Sequence, residues 1–135
     1  MLVDFHTHTN ASDGRLSPID LVQSALRRGV RMLAITDHDT INGYLAVCDD
    51  VHSSMRLISG VELSCQWSGR GIHVIGLGFS SDASELNNHL SLLSNLRINR
   101  AREIAVSLEE QQIRGAFKGA VLEAGDAQIG RPHFA

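Results

Sequence analysis

The sequence has few aromatic residues, few cysteines and no excess of positive charge. Phe, Trp and Tyr together make up 4% of its 135 residues, so side chains that could stack on nucleic-acid bases are scarce. Acidic residues outnumber basic ones by 15 to 12, which gives a formal net charge of −3 and argues against the densely positive surface of a general nucleic-acid binder. Cys48 and Cys65 form neither a disulfide framework nor a zinc knuckle.

Long apolar runs and targeting signals are also missing. No run approaches the roughly 20 apolar residues that a membrane span requires, and the residues after Met1 do not resemble a signal peptide. We therefore expect no membrane association and a reduced, cytoplasmic environment. The length and the 43% hydrophobic content suit one globular domain over residues 1–135.

Strand-like and helical patterns alternate along the chain. Ser17 followed by Pro18 predicts the start of a helix, and Gly29 predicts its end. Strands are predicted over 2–8, 32–36, 57–63 and 72–79, further helices over 41–53 and 83–112, a turn over 68–71, and a short helix with loops over 115–130. This alternation predicts an α/β fold with a mostly parallel sheet and helices outside it.

The leucine-rich pattern that starts at Leu86 has two interpretations. Apolar residues recur there at three- and four-residue intervals as far as Leu108. A stripe that faces the core is favoured over a coiled coil, because the pattern is short and irregular.

The first group of candidate ligands lies around the first predicted strand. His6 and His8 are separated by one residue, so on a strand they point to the same face and can present two imidazoles to one metal ion. Asp13, in the following loop, is close enough to add a carboxylate. A His-x-His pair alone could be a coincidence of packing or surface position, but its position at a strand end before an acidic loop favours a metal site.

The second group, Asp37, His38 and Asp39, directly follows a buried strand. Buried charges are costly unless they are paired or bound to metal. The alternative is that Asp39 or Thr40 caps the following helix, which would leave His38 unexplained.

Two further candidates lie in the next two strands. Glu62 interrupts an apolar run, and it is either an exposed residue of an edge strand or, at another strand end, a bridging metal ligand. His73 opens the strand that follows, where a single histidine is more often a core or surface residue than a ligand.

The chain ends with a guanidinium and an imidazole two residues apart, Arg131 and His133, a pair that suits an anionic group such as phosphate. Arg97, Arg100 and Arg102 could also hold phosphates, although a solvated helix face paired with Glu103 or Glu109 is the favoured interpretation of these three. In parallel α/β folds the functional groups gather at the carboxyl ends of strands, and mixed imidazole and carboxylate ligands suit zinc, manganese or iron.

These motifs, taken in order, resemble the PHP (polymerase and histidinol phosphatase) family of metal-dependent phosphoesterases, and the resemblance covers essentially the whole chain. Within the family the chain is most similar to the bacterial group of nucleotide phosphoesterases that includes ribonuclease AM and the TrpH-like proteins. The segments that carry the resemblance are Asp4-Phe5-His6-Thr7-His8, Ser12-Asp13-Gly14, Thr36-Asp37-His38-Asp39, Gly60-Val61-Glu62 and Ile72-His73-Val74-Ile75-Gly76.

The resemblance implies a role for each candidate residue. His6 and His8 bind one metal ion, Glu62 bridges to a second ion held by His73, and Asp13 and His38 serve a third. Arg131 and His133 match a family position near the substrate phosphate. These implications amount to two or three divalent ions (Mn, Zn or Fe).

The family fold is a distorted barrel of seven strand-helix units, and family members of this group run to about twice the present length. The chain is therefore expected to be the amino-terminal part of such a barrel, with 84–128 as a helical insertion or cap region. We expect a missing carboxy-terminal half, or an assembly, to cover an open strand edge.

The expected activity is hydrolysis of phosphate esters by a metal-activated hydroxide, with a phosphorylated small molecule, a nucleotide or the 5′ end of a short RNA as substrate. Two alternatives are a metal-binding domain without catalytic activity, which stabilises or recruits a partner, and a histidinol-phosphate phosphatase.

Overall fold

A four-stranded sheet lies at the centre of the computed structural model, which describes residues 1–49 and 54–135. The strands are β1 (Leu2–Thr7), β2 (Val30–Ile35), β3 (Arg56–Trp67) and β4 (Arg70–Leu77). The helices are α1 (Pro18–Arg27), α2 (Asn42–Leu45), α3 (Ser84–Glu110) and α4 (Ala116–Ala124), followed by a 3-10 helix (Arg131–Phe134). The α/β class and the alternating order of elements are confirmed.

The sheet is parallel over its first three strands and antiparallel at its last. Its order is β1-β2-β3-β4, with β1 parallel to β2, β2 parallel to β3, and β4 antiparallel to β3. The reversal follows from a two-residue turn in which Ser68 and Gly69 have φ values of 48° and 76°. Positive φ at both central residues is the backbone of a type I′ hairpin turn, which matches the twist of the flanking strands.

β3 pairs with β2 along its first part and with β4 along the rest of its length. Its residues Arg56–Ser59 pair with β2, and Gly60–Trp67 pair with β4. Beyond the end of β2, an isolated parallel bridge joins His38 to Glu62. The prediction that Glu62 lies at a strand end is therefore wrong for β3 itself, which continues to Trp67 because β4 pairs with it. Glu62 lies just past the last residue that pairs with β2.

α1 begins and packs as its sequence predicts. Ser17 is the N-cap, and its Oγ accepts a hydrogen bond from the Asp20 backbone N–H at 3.2 Å. Gly29 follows the helix with a φ of 78°, the left-handed conformation that ends many helices. The apolar face of α1 packs on β2, in a core cluster that contains Ala25 and Leu33.

The second predicted helix is much shorter than expected. α2 is a single turn, Asn42–Leu45, and its N-cap residue Ile41 makes no side-chain capping hydrogen bond. Neither residue proposed as a cap occupies that position, although the Thr40 hydroxyl accepts a hydrogen bond from the Asn42 backbone N–H at 3.2 Å. The last part of the prediction, residues 50–53, lies outside the described residues.

α3 faces the core with only part of its leucine stripe. Leu90 and Leu93 are buried, whereas Leu96 is 51% exposed. The amino-terminal part of α3 packs against β3 through Leu90 and Val61, and its carboxy-terminal part packs against α4 through small residues such as Ala101 and Ala120. Among the described residues no helix, α3 included, combines the length and the apolar character needed to cross a bilayer.

β1 forms one edge of the sheet and carries exposed apolar side chains. Leu2 is 53% exposed and Val3 is 41% exposed. An unpaired strand edge with accessible apolar groups is a surface that proteins normally protect. β1 is thus one of the two unpaired edges of the four-stranded sheet.

Candidate metal centre

All six side chains predicted as metal ligands lie together near the carboxyl ends of β1 and β2. His6 belongs to β1, His8 and Asp13 follow it, His38 follows β2, and Glu62 and His73 belong to β3 and β4. They form three groups, His6 with His8 and Glu62, His8 with Asp13 and His38, and His38 with Glu62 and His73.

The three groups overlap. Within each group the ligand atoms lie within 4.8 Å of one another, and His8, His38 and Glu62 each belong to two groups. A residue that belongs to two groups can link neighbouring ions. Shared ligands of this kind are a feature of multinuclear metal sites.

Glu62 is the most highly connected of these residues. Its Oε2 lies 3.0 Å from His6 Nε2 and 2.8 Å from His8 Nε2, and its Oε1 lies 2.6 Å from His73 Nδ1. Burial raises the pKa of Glu62, but the hydrogen bonds to His6 and His73 and the charges of His38 and His8 outweigh burial and lower the pKa below its usual value. Glu62 is thus held as a carboxylate, whose two oxygens have lone pairs for several hydrogen bonds or metal ions.

Asp13 and His38 complete the second group. Asp13 Oδ1 is 2.8 Å from His8 Nδ1, and Asp13 Oδ2 is 3.5 Å from His38 Nε2. Burial raises the pKa of Asp13, yet the His8 hydrogen bond and the charges of His38 and His8 lower it overall. Burial, together with the charges of His8 and Arg97, lowers the pKa of His38 more than the carboxylates of Glu62 and Asp13 raise it. The neutral imidazole favoured at His38 is the form that binds metal.

One atom of this cluster has no hydrogen-bond partner. Among the described side chains, His38 Nδ1 is buried and unpaired, and its nearest carboxylate oxygen, Glu62 Oε2, is 3.7 Å away. Buried polar atoms are nearly always satisfied, and a cation bound by His38 and Glu62 would satisfy this one. The donor set of imidazoles and carboxylates also matches the preferences of zinc, manganese and iron. The residues present therefore fit a metal centre.

Asp37 holds the loop that carries Asp13. Its side chain is fully buried and accepts hydrogen bonds from the Thr9 backbone N–H, the Thr9 hydroxyl and the Ser12 hydroxyl, each at 2.7 Å. These bonds tie the loop after β1 to the end of β2. Asp37 therefore fixes the position of Asp13 relative to His38 without belonging to any of the three groups.

Asp39 forms a second buried network, with Ser64 and Arg97. It accepts hydrogen bonds from the Ser64 backbone N–H and hydroxyl at 2.7 Å each and from Arg97 Nε at 2.5 Å. Burial raises the pKa of Asp39, but the hydrogen bonds from Ser64 and Arg97 outweigh burial and lower the pKa below its usual value. Asp39 has a φ of 53°, which places its side chain against β3.

This network corrects two interpretations of the sequence. Asp39 does not cap α2, because its carboxylate is taken up by Ser64 and Arg97. Arg97 does not lie on a solvated helix face, because its side chain is 12% exposed and pairs with Asp39 rather than with Glu103 or Glu109. No local pattern in the sequence indicates the role of Ser64.

A cavity of about 440 Å³ opens beside the cluster. Its lining includes the candidate ligands Asp13, His38 and His73 and three arginines, Arg97, Arg100 and Arg131. Two sequence-predicted phosphate ligands lie elsewhere. His133 Nδ1 accepts a hydrogen bond from the Gly130 backbone N–H at 3.0 Å and lines a separate depression. Arg102 stacks over the Phe117 ring, 5.7 Å from its centroid.

Comparisons with known proteins agree on one family. The family model described as "PHP domain" matches residues 4–122. A 5′-3′ exoribonuclease of Haemophilus influenzae is 43% identical over 133 residues, which cover 98% of this chain and 48% of that protein. A 3′,5′-nucleoside bisphosphate phosphatase of Chromobacterium violaceum is 34% identical over 98% of this chain and 47% of that protein. The chain spans about half the length of these curated relatives.

A solved structure shows the same fold. The crystallised relative is described as an amidohydrolase from Chromobacterium violaceum with bound sulfate and no metal. It superposes with a TM-score of 0.88 and 32% sequence identity, over 99% of this chain and 48% of its own. The α/β architecture described above is thus shared with about half of a longer relative.

Proposed function

Because the chain belongs to the PHP domain family, we propose that the protein is a metal-dependent phosphoesterase that hydrolyses phosphate esters of nucleotides or of short RNA 5′ ends. The observation that carries this proposal is that the overlapping ligand groups joined by Glu62 border a cavity that arginines also line. Ligands for cations and guanidinium groups face the same space, which is the arrangement that a phosphate ester requires.

The proposed ligand roles follow the groups. His6 and His8 would hold one ion, Glu62 would bridge to a second ion with His73, and Asp13 and His38 would serve a third. Two or three divalent ions would bind in this way, with Mn, Zn and Fe as the candidates. Divalent ions at such a site lower the pKa of coordinated water and neutralise charge on phosphoryl oxygens.

The chain's own residues orient the substrate. Arg100 and Arg131 line the same cavity as Asp13, His38 and His73, and a guanidinium offers two parallel N–H donors to a phosphate. His133 is the less direct candidate, because its Nδ1 is used by the Gly130 backbone N–H. Arg97 contributes by supporting the wall rather than by facing substrate, since its Nε and NH2 groups bind Asp39 and Ser64.

The relatives favour nucleotides as the substrate class. One is named an exoribonuclease and another a nucleoside bisphosphate phosphatase, and both names describe phosphate esters of nucleosides. The bound sulfate of the crystallised relative is a tetrahedral oxyanion like phosphate. The net charge of −3 fits a small or end-bound substrate better than a long polymer held along its length.

Glu62→Gln tests the proposal in the full-length protein. The substitution removes the negative charge but keeps the shape, so we expect kcat/KM for nucleotide phosphates to fall by at least about 100-fold, because even the outer partners of metal ligands contribute about 10- to 100-fold. Bound metal, measured by elemental analysis, should fall by at least one ion per protein. Glu109→Gln, on the exposed end of α3, is the matched control and should change neither quantity.

The same measurements separate the alternatives. Activity on histidinol phosphate together with inactivity on nucleotides would change the proposed substrate from nucleotides to histidinol phosphate. Stoichiometric metal without turnover of any phosphate ester would establish a metal-binding domain with no catalytic activity. Full activity of Glu62→Gln would remove Glu62 from the mechanism.

A further inference from the structure

A second depression continues from the cavity at the metal centre. It lies between the β3–β4 hairpin and α3, has a volume of about 660 Å³, and is called the hairpin groove below. Its lining includes Gln66 and Gly71 of the hairpin and Leu96, Asn99 and Arg100 of α3. We propose that the hairpin groove binds the nucleotides of a single-stranded oligoribonucleotide that follow the reacting 5′ phosphate. This inference rests on the proposed function.

The groove and the cavity are continuous at the metal centre. Both are lined by His73 and by Arg100 and Arg131. The cavity of about 440 Å³ already lies in the size range of small-ligand pockets, so a mononucleotide has no need of the groove. A chain extending from a phosphate in the cavity has a path past His73 into the groove.

The junction between the cavity and the groove carries two guanidinium groups that are not in ion pairs, although Glu103 also lines the groove. Within the described part of the chain, neither Arg100 nor Arg131 forms an ion pair with an Asp or Glu side chain, whereas Arg97 is paired with Asp39. The protein as a whole carries a formal net charge of −3. Two unpaired guanidinium groups between the cavity and the groove therefore suit a backbone that presents one phosphate per nucleotide.

The remaining lining suits bases and riboses. Gln66 and Asn99 offer amide donors and acceptors, and Leu96 presents an apolar side chain that is 51% exposed.

Gly71 permits a direct test of the groove. A Cβ atom placed on Gly71 meets no heavy atom within 4 Å, so a side chain can be added without disturbing the hairpin. Gly71 lies opposite Gln66 in the β3–β4 ladder, and directly opposed residues share a face of the sheet. A large side chain at this position should fill the groove and leave the cavity open.

The experiment compares two substrates in the full-length protein, adenosine 3′,5′-bisphosphate and a 5′-phosphorylated oligoribonucleotide of about ten nucleotides, a length within the usual range of single-strand sites. Gly71→Trp should lower kcat/KM for the oligonucleotide by about tenfold or more and leave the value for the bisphosphate within about twofold. Gly71→Ala, which adds one methyl group to open space, should leave both values unchanged.

A second variant tests the charge of the groove without adding bulk. Gln66→Glu places a carboxylate in the groove and should lower kcat/KM for the oligonucleotide by about three- to tenfold at low ionic strength, with a smaller effect at high salt. The matched control is Gln111→Glu, which makes the same change in net charge at the exposed carboxy-terminal end of α3 and should have no effect.

The outcomes for the groove and for the proposed function are distinct. If the unmodified protein hydrolyses neither substrate, the proposed function fails. If it hydrolyses both, and both Gly71→Trp and Gln66→Glu affect the two substrates equally or not at all, the groove is refuted while the proposed function stands. Activity on the bisphosphate alone in the unmodified protein also refutes the groove.

Discussion

Replacement of Arg97 by methionine should destabilise the protein far more than replacement of its neighbours on α3. The change keeps the aliphatic part of the side chain and removes the guanidinium that joins α3 to Asp39 and Ser64. It also removes the hydrogen bond from Arg97 NH1 to the Ile129 carbonyl, at 3.3 Å. The segment leading to Arg131 would lose an anchor at the same time.

The expected loss in the free energy of unfolding depends on the hydrogen bonds that Asp39 keeps. The Asp39 side chain is 0% exposed and that of Arg97 is 12% exposed, and removing one partner of a buried pair costs about 3–5 kcal/mol. Asp39 would keep two hydrogen bonds from Ser64, each of 2.7 Å. These bonds still stabilise the carboxylate, so we expect the lower end of that range, about 3 kcal/mol.

Urea unfolding of the full-length protein, followed by circular dichroism, measures this loss. With a slope of about 2 kcal/mol per molar urea, the midpoint should fall by about 1.5 M. Arg102→Met is the control on the same helix, because Arg102 is exposed and its polar interactions with the described residues are one hydrogen bond to Asn99 and a cation–π contact with the Phe117 ring. Arg102→Met should lower the free energy of unfolding by about 0.5 kcal/mol. A loss below about 1 kcal/mol for Arg97→Met, or losses of equal size in the two variants, would refute the reasoning.

Two further predictions concern the backbone and the support of the metal centre. Gly43→Ala should destabilise the fold by about 1–3 kcal/mol, because a Cβ atom there would overlap Asp37 Oδ2 and lie 2.6 Å from Thr9 Oγ1. Gly119→Ala, in open space on α4, should stabilise it by about 0.5–1 kcal/mol, and urea unfolding that gave both changes the same sign would contradict this. Asp37→Asn should weaken metal binding by about 10- to 100-fold, measured by competition with a chelator, and an affinity equal to that of the exposed control Asp126→Asn would show that Asp37 does not position the ligands.

The parts of the fold that depend on local signals could be predicted from the sequence. Ser17 and Pro18, which are adjacent in the sequence, specify the start of α1 as its N-cap and its first helical residue. α2 could not be predicted in the same way, because its apolar residues fit a longer helix and nothing local ends the helix at Leu45. The antiparallel pairing of β4 follows from the conformation of Ser68 and Gly69, and the sequence indicated a turn there without its type.

His6, His8, Asp13 and His38 were accessible to sequence analysis because each lies in a short polar motif beside an apolar run, whereas Glu62 stood out as a charge within an apolar run and His73 was indicated as a ligand by the family resemblance. The residues that support these ligands were not accessible in this way. Arg97 and Asp39 are separated by 58 positions, and only the packing of α3 against β3 brings them together. Ser64 has no neighbour in the sequence that indicates a role, although its backbone and its hydroxyl both bind Asp39. Tertiary packing determines which of these residues pair, so the periodicity of the sequence does not indicate them.

The division of β3 between two neighbours restricts where this protein can tolerate insertions and deletions. Glu62 lies just past the segment Arg56–Ser59 that pairs with β2. Since side chains alternate between the faces of a strand, one residue gained or lost between Ser59 and Glu62 would turn the Glu62 carboxylate to the opposite face while leaving most of the sheet paired. The turn at Ser68 and Gly69 has no such constraint, because two residues added there would lengthen the hairpin in register. Variation in chain length among relatives should therefore concentrate at the hairpin tip and avoid the middle of β3.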